Sequence, residues 1–242
     1  MNDLALRRVE PEILDELAAD DPRAVASRRD LSRINTIMGQ LRIVAGILHR
    51  HLPAPPRRLL EIGCGDGSFM LKLARRLHDR WPQVEVLLLD RQRAVPVENL
   101  AALAALGWKA RLVQADVLNW SEDAAEERFD VILANLFLHH FEDETLAGLF
   151  RRLAPRTCLF VASEPRRSRF QLMAAHMIGG IGANAVSRHD ALLSVRAGFK
   201  GRELSALWPE ARLKPVEERR RGPFTHVFVA AAHRGGQGSA NR

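Results

Sequence analysis

The chain has 242 residues, 47% of them hydrophobic, with 36 Lys and Arg against 29 Asp and Glu for a net charge of +7. That is ordinary globular usage, enough for one large domain or two small ones, and it excludes disordered, collagen-like and disulfide-scaffold classes. Two cysteines (Cys64 and Cys158), no apolar run near the ~20 residues of a membrane span, and an N-terminus carrying Asp3, Glu10 and Glu12 make a reducing cytoplasm the expected location.

Residues 8–52 read as helical. Ser27-Arg28-Arg29-Asp30 is a capping-box variant with Asp in place of Glu, and Leu31, Ile34, Ile37, Met38, Leu41, Val44 and Leu48 then recur at three- and four-residue steps. This stripe predicts a helix buried on one side, stopped by Pro53, Pro55 and Pro56. From 58 to 163, short apolar runs alternate with amphipathic stretches. The runs are Leu59–Ile62, Val84–Leu89, Arg111–Gln114, Phe129–Ala134 and Cys158–Ala162; Ser68–Arg80 and Glu142–Leu153 have helical periodicity. Strands alternating with helices imply a parallel sheet covered on both faces. Residues 165–208 read as helical around a glycine-rich centre at 179–184, and Ala211–Val216 and Phe224–Ala231 as two strands joined through a charged turn at 217–223. The expected organisation is a helical lid over 1–56, a main domain over 57–233 with a helical insertion at 165–200, and a disordered tail at 234–242 that has no apolar side chain but alanine.

The informative stretch is Leu59-Leu60-Glu61-Ile62-Gly63-Cys64-Gly65-Asp66-Gly67-Ser68-Phe69. It reads as strand, glycine turn and helix start, where backbone can approach a nucleotide-like ligand closely. A dinucleotide fingerprint would need glycine at position 68; the spacing here is G-x-G-x-G. Asp90 and Asp116 follow the second and third apolar runs, and Phe129-Asp130-Val131-Ile132-Leu133-Ala134-Asn135 forms the fourth.

In these features the chain resembles the class I S-adenosylmethionine-dependent methyltransferases. The resemblance implies a doubly wound α/β fold with a seven-stranded, mostly parallel sheet whose last strand is antiparallel. It also implies cofactor contacts from Glu61, Gly63, Gly65 and Gly67, ribose binding by Asp90, adenine binding by Asp116 and Val117, and a further contact from Asn135. The segment Leu138-His139-His140-Phe141 is similar to the ubiquinone-biosynthesis type and to the L-H-D-W segment of plant-type phenol O-methyltransferases, where the first histidine is the general base; this makes His139 the candidate base. Flanking segments at 27–39 and 187–199 resemble methyltransferases encoded beside type III polyketide synthases and add Asn35, Met38, Arg188 and His189 as acceptor contacts; His140, next to the candidate base, is a further one.

The expected activity is therefore methylation of a small phenolic or polyketide-type acceptor, with O-methylation first and C-methylation of a quinone or phenol precursor as an alternative. The high isoelectric point raises RNA methylation as another. Yet strand four is not followed by the Asn/Asp-Pro-Pro-aromatic motif of base-methylating enzymes, and the arginines lie in scattered pairs, so nucleic acid is not the expected partner. No cysteine lies beside strand four to attack a cytosine. The nine histidines form no recognisable metal-ligand spacing, so no metal is expected.

Overall fold

The computed structural model describes residues 4–123, 126–210 and 212–232; the tail expected at 234–242 lies outside them. From the amino terminus the chain runs α1 (Ile13–Glu16), α2 (Pro22–Ile37), α3 (Gln40–His51), β1 (Arg58–Ile62), α4 (Ser68–Leu77), β2 (Val84–Asp90), α5 (Val97–Ala105), β3 (Trp108–Gln114), α6 (Val117–Asp123), β4 (Phe129–Asn135), α7 (Asp143–Leu153), β5 (Thr157–Pro165), α8 (Arg169–Met177), α9 (Ala185–Ala197), α10 (Glu203–Leu207), β6 (Leu213–Arg221) and β7 (Thr225–Ala232).

The expected doubly wound sheet is present, in the order β3-β2-β1-β4-β5-β7-β6. β1 to β5 pair in parallel and β7 runs antiparallel to both of its neighbours. Each central strand divides its apolar residues between two cores, as a period of two requires. Leu59, Val131, Leu133, Leu159 and Val161 face the core under α3, α4 and α5, while Leu60, Ile132, Ala134, Phe160 and Ala162 face the core under α6, α7 and α10. On the second side Phe150, Phe160, Trp208 and Phe228 form a tight aromatic group. Strand order reverses between β1 and β4, and the carboxyl ends of these two strands open a crevice where such sheets bind ligands.

The N-terminal region departs from the single long helix expected. α2 starts earlier, capped by Asp21, whose side chain accepts from Arg23 N at 2.8 Å. Ser27 and Asp30 are therefore helix-interior residues, and they bind α9 instead of a helix end: Ser27 Oγ lies 3.0 Å from Ser187 Oγ, and Asp30 accepts from Asn184 N at 2.8 Å. The apolar stripe continues past Ile37, but Gly39, at φ 70°, breaks the helix there. α3 then packs into the sheet's core through Val44, Ile47 and Leu48, all fully buried. At the other end the charged turn expected at 217–223 is largely strand: β6 continues to Arg221, with an irregular register between Pro215 and Glu217.

Both cysteines are free, Cys64 buried and Cys158 exposed. Among the described residues no helix is long and apolar enough to cross a membrane.

Candidate active site

The loop between β1 and α4 is shaped by backbone contacts. Gly63 N and Cys64 N both donate to Leu89 O, at 2.8 and 3.1 Å, and Gly65 N donates to the Asp90 carboxylate at 2.8 Å. Gly63 has φ 69°, and a Cβ there would lie 2.1 Å from the Phe137 ring, so position 63 admits no side chain. Gly65 has φ 54° and faces open space, the opposite situation: a side chain there would project into room left for a ligand. Gly67 does not line that space and serves as the N-cap of α4 against Val95.

Beneath the loop, Glu61 is 1% exposed and its Oε2 has no hydrogen-bond partner. Burial, with the charges of Asp66 and Asp90 adding to it, holds this carboxyl well above the usual range. A buried carboxyl in this condition calls for a cationic partner. Asp90 accepts from Gly65 N and Gln92 N, one bond per oxygen, leaving further lone pairs for hydroxyl groups. Asp116 accepts from Leu118 N at 2.7 Å, and with Val117 it lines the same space. Asn135, at the end of β4, offers a second unpartnered buried oxygen. An ammonium, a ribose and an adenine find matching groups here, so the residues present fit S-adenosylmethionine.

This space is part of one cavity of about 630 Å³ whose walls also include Asn35, Met38 and His140. Beyond the cofactor residues it is mostly apolar, with Leu31 and Ile34 from α2, Ala174 and Ala175 from α8, and Phe141 among its lining. At the end of β4 the chain takes a strained path: Leu136, at φ 53°, is the one non-glycine with positive φ among the described residues. A single 3₁₀ turn over Leu138–His140 follows. Glu164 of β5, fully buried, stabilises the turn by accepting from Phe137 N at 3.1 Å and Leu138 N at 3.0 Å.

The other oxygen of Glu164 accepts from His139 Nδ1 at 2.8 Å. His139 is 3% exposed, and its Nε2 lies 3.5 Å from Glu12 Oε1. Burial alone would lower the imidazole's pKa, but the two carboxylates outweigh it and hold His139 up to about 9. Glu12 in turn lies below the ordinary carboxylate range: burial would raise it, and the hydrogen bond with His139, the charges of His140 and His139 and the bond from Ser194 together more than reverse that. His140 stacks on His139 with ring centroids 4.3 Å apart and places Nδ1 3.4 Å from Asp15 Oδ2. Glu12, His139 and His140 each bring a possible metal-ligating atom within 4.8 Å of the others, a grouping the residue spacing does not reveal; the ion pairs just described account for it.

The segment that carries Glu12 is itself anchored. Ile13 N and Leu14 N donate one to each oxygen of Asp190 on α9, both at 3.0 Å, and Gln92 Nε2 donates to Leu17 O at 3.0 Å. The loop after Asp90 is thus tied directly to the segment that carries Glu12. Arg188 and His189 stand apart from the other expected contacts. Both are exposed on α9 and neither lines the cavity, to which that helix contributes Ala191, Ser194 and Val195. Glu12, Glu164 and Gln171 of the site were not among the residues expected from the sequence.

Residues 59–156 match the family model of a methyltransferase domain. The chain is 33% identical over 120 residues to trans-aconitate 2-methyltransferase of Pseudomonas aeruginosa; the match takes in 49% of this chain and 40% of that relative, so the chain spans less than half of that relative's length. Its fold is similar to the plantazolicin methyltransferase BpumL solved in complex with SAH, at a TM-score of 0.60 and 14% identity over 88% of this chain and 91% of the other. It is also similar to the mitomycin 7-O-methyltransferase MmcR, at a TM-score of 0.59 and 20% identity over 90% of this chain and 60% of the other. Residues 59–156 thus match a methyltransferase domain, and the chain has the Rossmann-like fold of the solved methyltransferases it is similar to.

Proposed function

We propose that the whole chain transfers a methyl group to the hydroxyl of a small phenolic, polyketide-type acceptor, with His139 as general base. In this reading α1, α2 and the 165–200 insertion close over the acceptor as a lid, and residues 57–233 form the methyltransferase domain beneath it. The supporting observation is the position of His139, at the carboxyl end of β4, on the wall of a mostly apolar cavity continuous with the glycine loop.

Glu61 pairs with the ammonium of the methyl donor, Asp90 with its ribose and Asp116 with its adenine. S-adenosylmethionine, when bound, supplies a methyl already activated on a sulfonium. The chain's own task is then alignment, exclusion of water and removal of one proton. Leu31, Ile34 and Phe141 shield the acceptor from water. Glu164 fixes the His139 tautomer by accepting from Nδ1–H, which turns Nε2 toward the acceptor side. Glu12 lies against Nε2, so an acceptor hydroxyl reaches the base by displacing that carboxylate.

The test is transfer of labelled methyl to a panel of alkylphenols and pyrones. His139→Ala should lower turnover by roughly 10²–10⁴ while SAH affinity stays within about twofold. Turnover that is unchanged in His139→Ala would overturn the base assignment, and absence of transfer to every phenol would overturn the acceptor class.

A further inference from the structure

α8 carries two apolar faces, where a helix packed on one side needs only one. Ala174, Ala175 and, just past the helix end, Ile178 line the cavity. Phe170, Met173 and Met177, spaced at i, i+3 and i+7, form a second stripe that faces solvent, 50%, 53% and 67% exposed. A contiguous apolar stripe in water is unfavourable and marks a surface that another body covers. Two side chains join this stripe to the cavity: Met177 lines it directly, and Phe170 stacks at 5.7 Å on Phe224, which lines it too. Ile37, at the end of α2, is likewise 61% exposed and lines the cavity, so apolar side chains surround the place where the cavity meets solvent.

Arginines bound the stripe at both ends. Arg166 and Arg220 share a surface depression with Phe170, and Arg169 is exposed beside it on α8. At the other end Arg188 lies against the turn after Met177, its Cδ 3.1 Å from where a Cβ on Gly179 would stand. Among the described residues none of these four guanidiniums pairs with a carboxylate; on β6, Glu217 takes Arg219 and Arg221 instead.

We infer that this face docks on an anionic lipid bilayer, with Phe170, Met173 and Met177 at the acyl boundary and the four arginines on lipid phosphates, which sets the opening of the cavity against the bilayer. An amphipathic helix with basic residues beside an apolar stripe lies in the headgroup region in this way, and no membrane-spanning helix is needed for it. The phosphates supply the countercharge that the protein itself does not. A second copy of this chain packed across the stripe would instead set these arginines against one another. The inference goes beyond the phenolic reading and does not depend on it.

The experiment is co-sedimentation of the full chain with sucrose-loaded phosphatidylcholine vesicles, with and without phosphatidylglycerol, at physiological and at high ionic strength. The wild type is compared with Phe170→Gln/Met173→Gln and with Arg169→Gln/Arg188→Gln. Two controls change exposed residues elsewhere that do not line the cavity: Val97→Gln on α5 and Arg75→Gln/Arg76→Gln on α4. The wild type should bind phosphatidylglycerol vesicles roughly tenfold or more tightly than phosphatidylcholine alone, and salt should weaken this. The apolar pair and the arginine pair should each reduce binding by roughly tenfold, and the controls by less than about twofold, with cooperative unfolding retained in all. Equal binding to both kinds of vesicle, no binding to either, or controls that lose as much as the α8 variants would overturn the inference. So would retention on polyglutamate beads that depends on α8 without any binding to vesicles, which would give this face to an acidic protein.

Discussion

Glu12→Gln isolates the electrostatic part of the proposed mechanism, because it removes a charge and little else. Glu12 Oε1 lies 3.5 Å from His139 Nε2, inside the range where an opposite charge shifts a pKa by roughly 1–3 units. Glu164 remains on Nδ1, so the imidazole should drop from about 9 part of the way toward its ordinary value of 6.5. The profile of kcat/KM reports groups in the free enzyme, where Glu12 is engaged. For the wild type, kcat/KM should climb about tenfold per pH unit below its midpoint and level off near pH 9. In Glu12→Gln the same rise should come roughly 1–2 pH units lower, which makes the variant roughly tenfold or more faster at pH 7. The assay is initial-rate methyl transfer between pH 6 and 10 at low acceptor concentration. A midpoint that stays put in the variant, or moves upward, would refute the coupling of Glu12 to the base.

The same ion pairs predict how stability depends on pH. The folded pKa of His139 is raised from 6.5 to about 9, so its contribution is complete below about pH 6.5 and is lost as pH climbs through 9. At 1.36 kcal/mol per unit the loss is on the order of 3 kcal/mol. Urea denaturation at pH 6.5 and 9.5 should show it, and His139→Ala should flatten the difference; equal stability at both pH values would contradict the pairing. Glu61 makes a separate prediction: burial holds its carboxyl well above the usual range, and pairing with an ammonium favours the ionised form. SAH binding should therefore release a proton, seen as a dependence of calorimetric heat on buffer ionisation enthalpy. Glu61→Gln should abolish the release and weaken binding by roughly tenfold or more, and a wild type that releases no proton would remove Glu61 from the cofactor site.

Much of the fold was legible because parallel strands buried on both faces read as near-continuous apolar runs, as Leu59–Ile62 and Phe129–Ala134 do. The failures have physical causes. The break at Gly39 was hidden because the apolar stripe of α2 happens to run on into α3. Ser27 and Asp30 fit a local capping pattern, but the helix had already started at Pro22 and these side chains serve contacts with α9. β6 looked like a turn because an edge strand carries charge on its open side; Glu217 there pairs with Arg50, Arg219 and Arg221.

The cofactor side of the site was readable for a related reason: its glycines and acids sit at strand ends in chain order. The acceptor side was only partly so. His139 could be named from its neighbours, whereas Glu12, Glu164 and Gln171 come from distant parts of the chain, and only the fold brings them to one cavity. Arg188 and His189 rested on a flanking resemblance, and helix geometry places both on the exposed face of α9.

The most direct test of the central claim, that the glycine loop and its two acids form the site of the methyl donor, is equilibrium binding of SAH to the wild type and to Gly65→Val. Position 65 faces open space at a positive φ, so a valine should fill the place of the ligand and strain the loop at once. Saturable one-to-one binding by the wild type and none by the variant, with the variant still unfolding cooperatively, is the expected result. Equal binding by the two proteins would contradict the assignment of this loop.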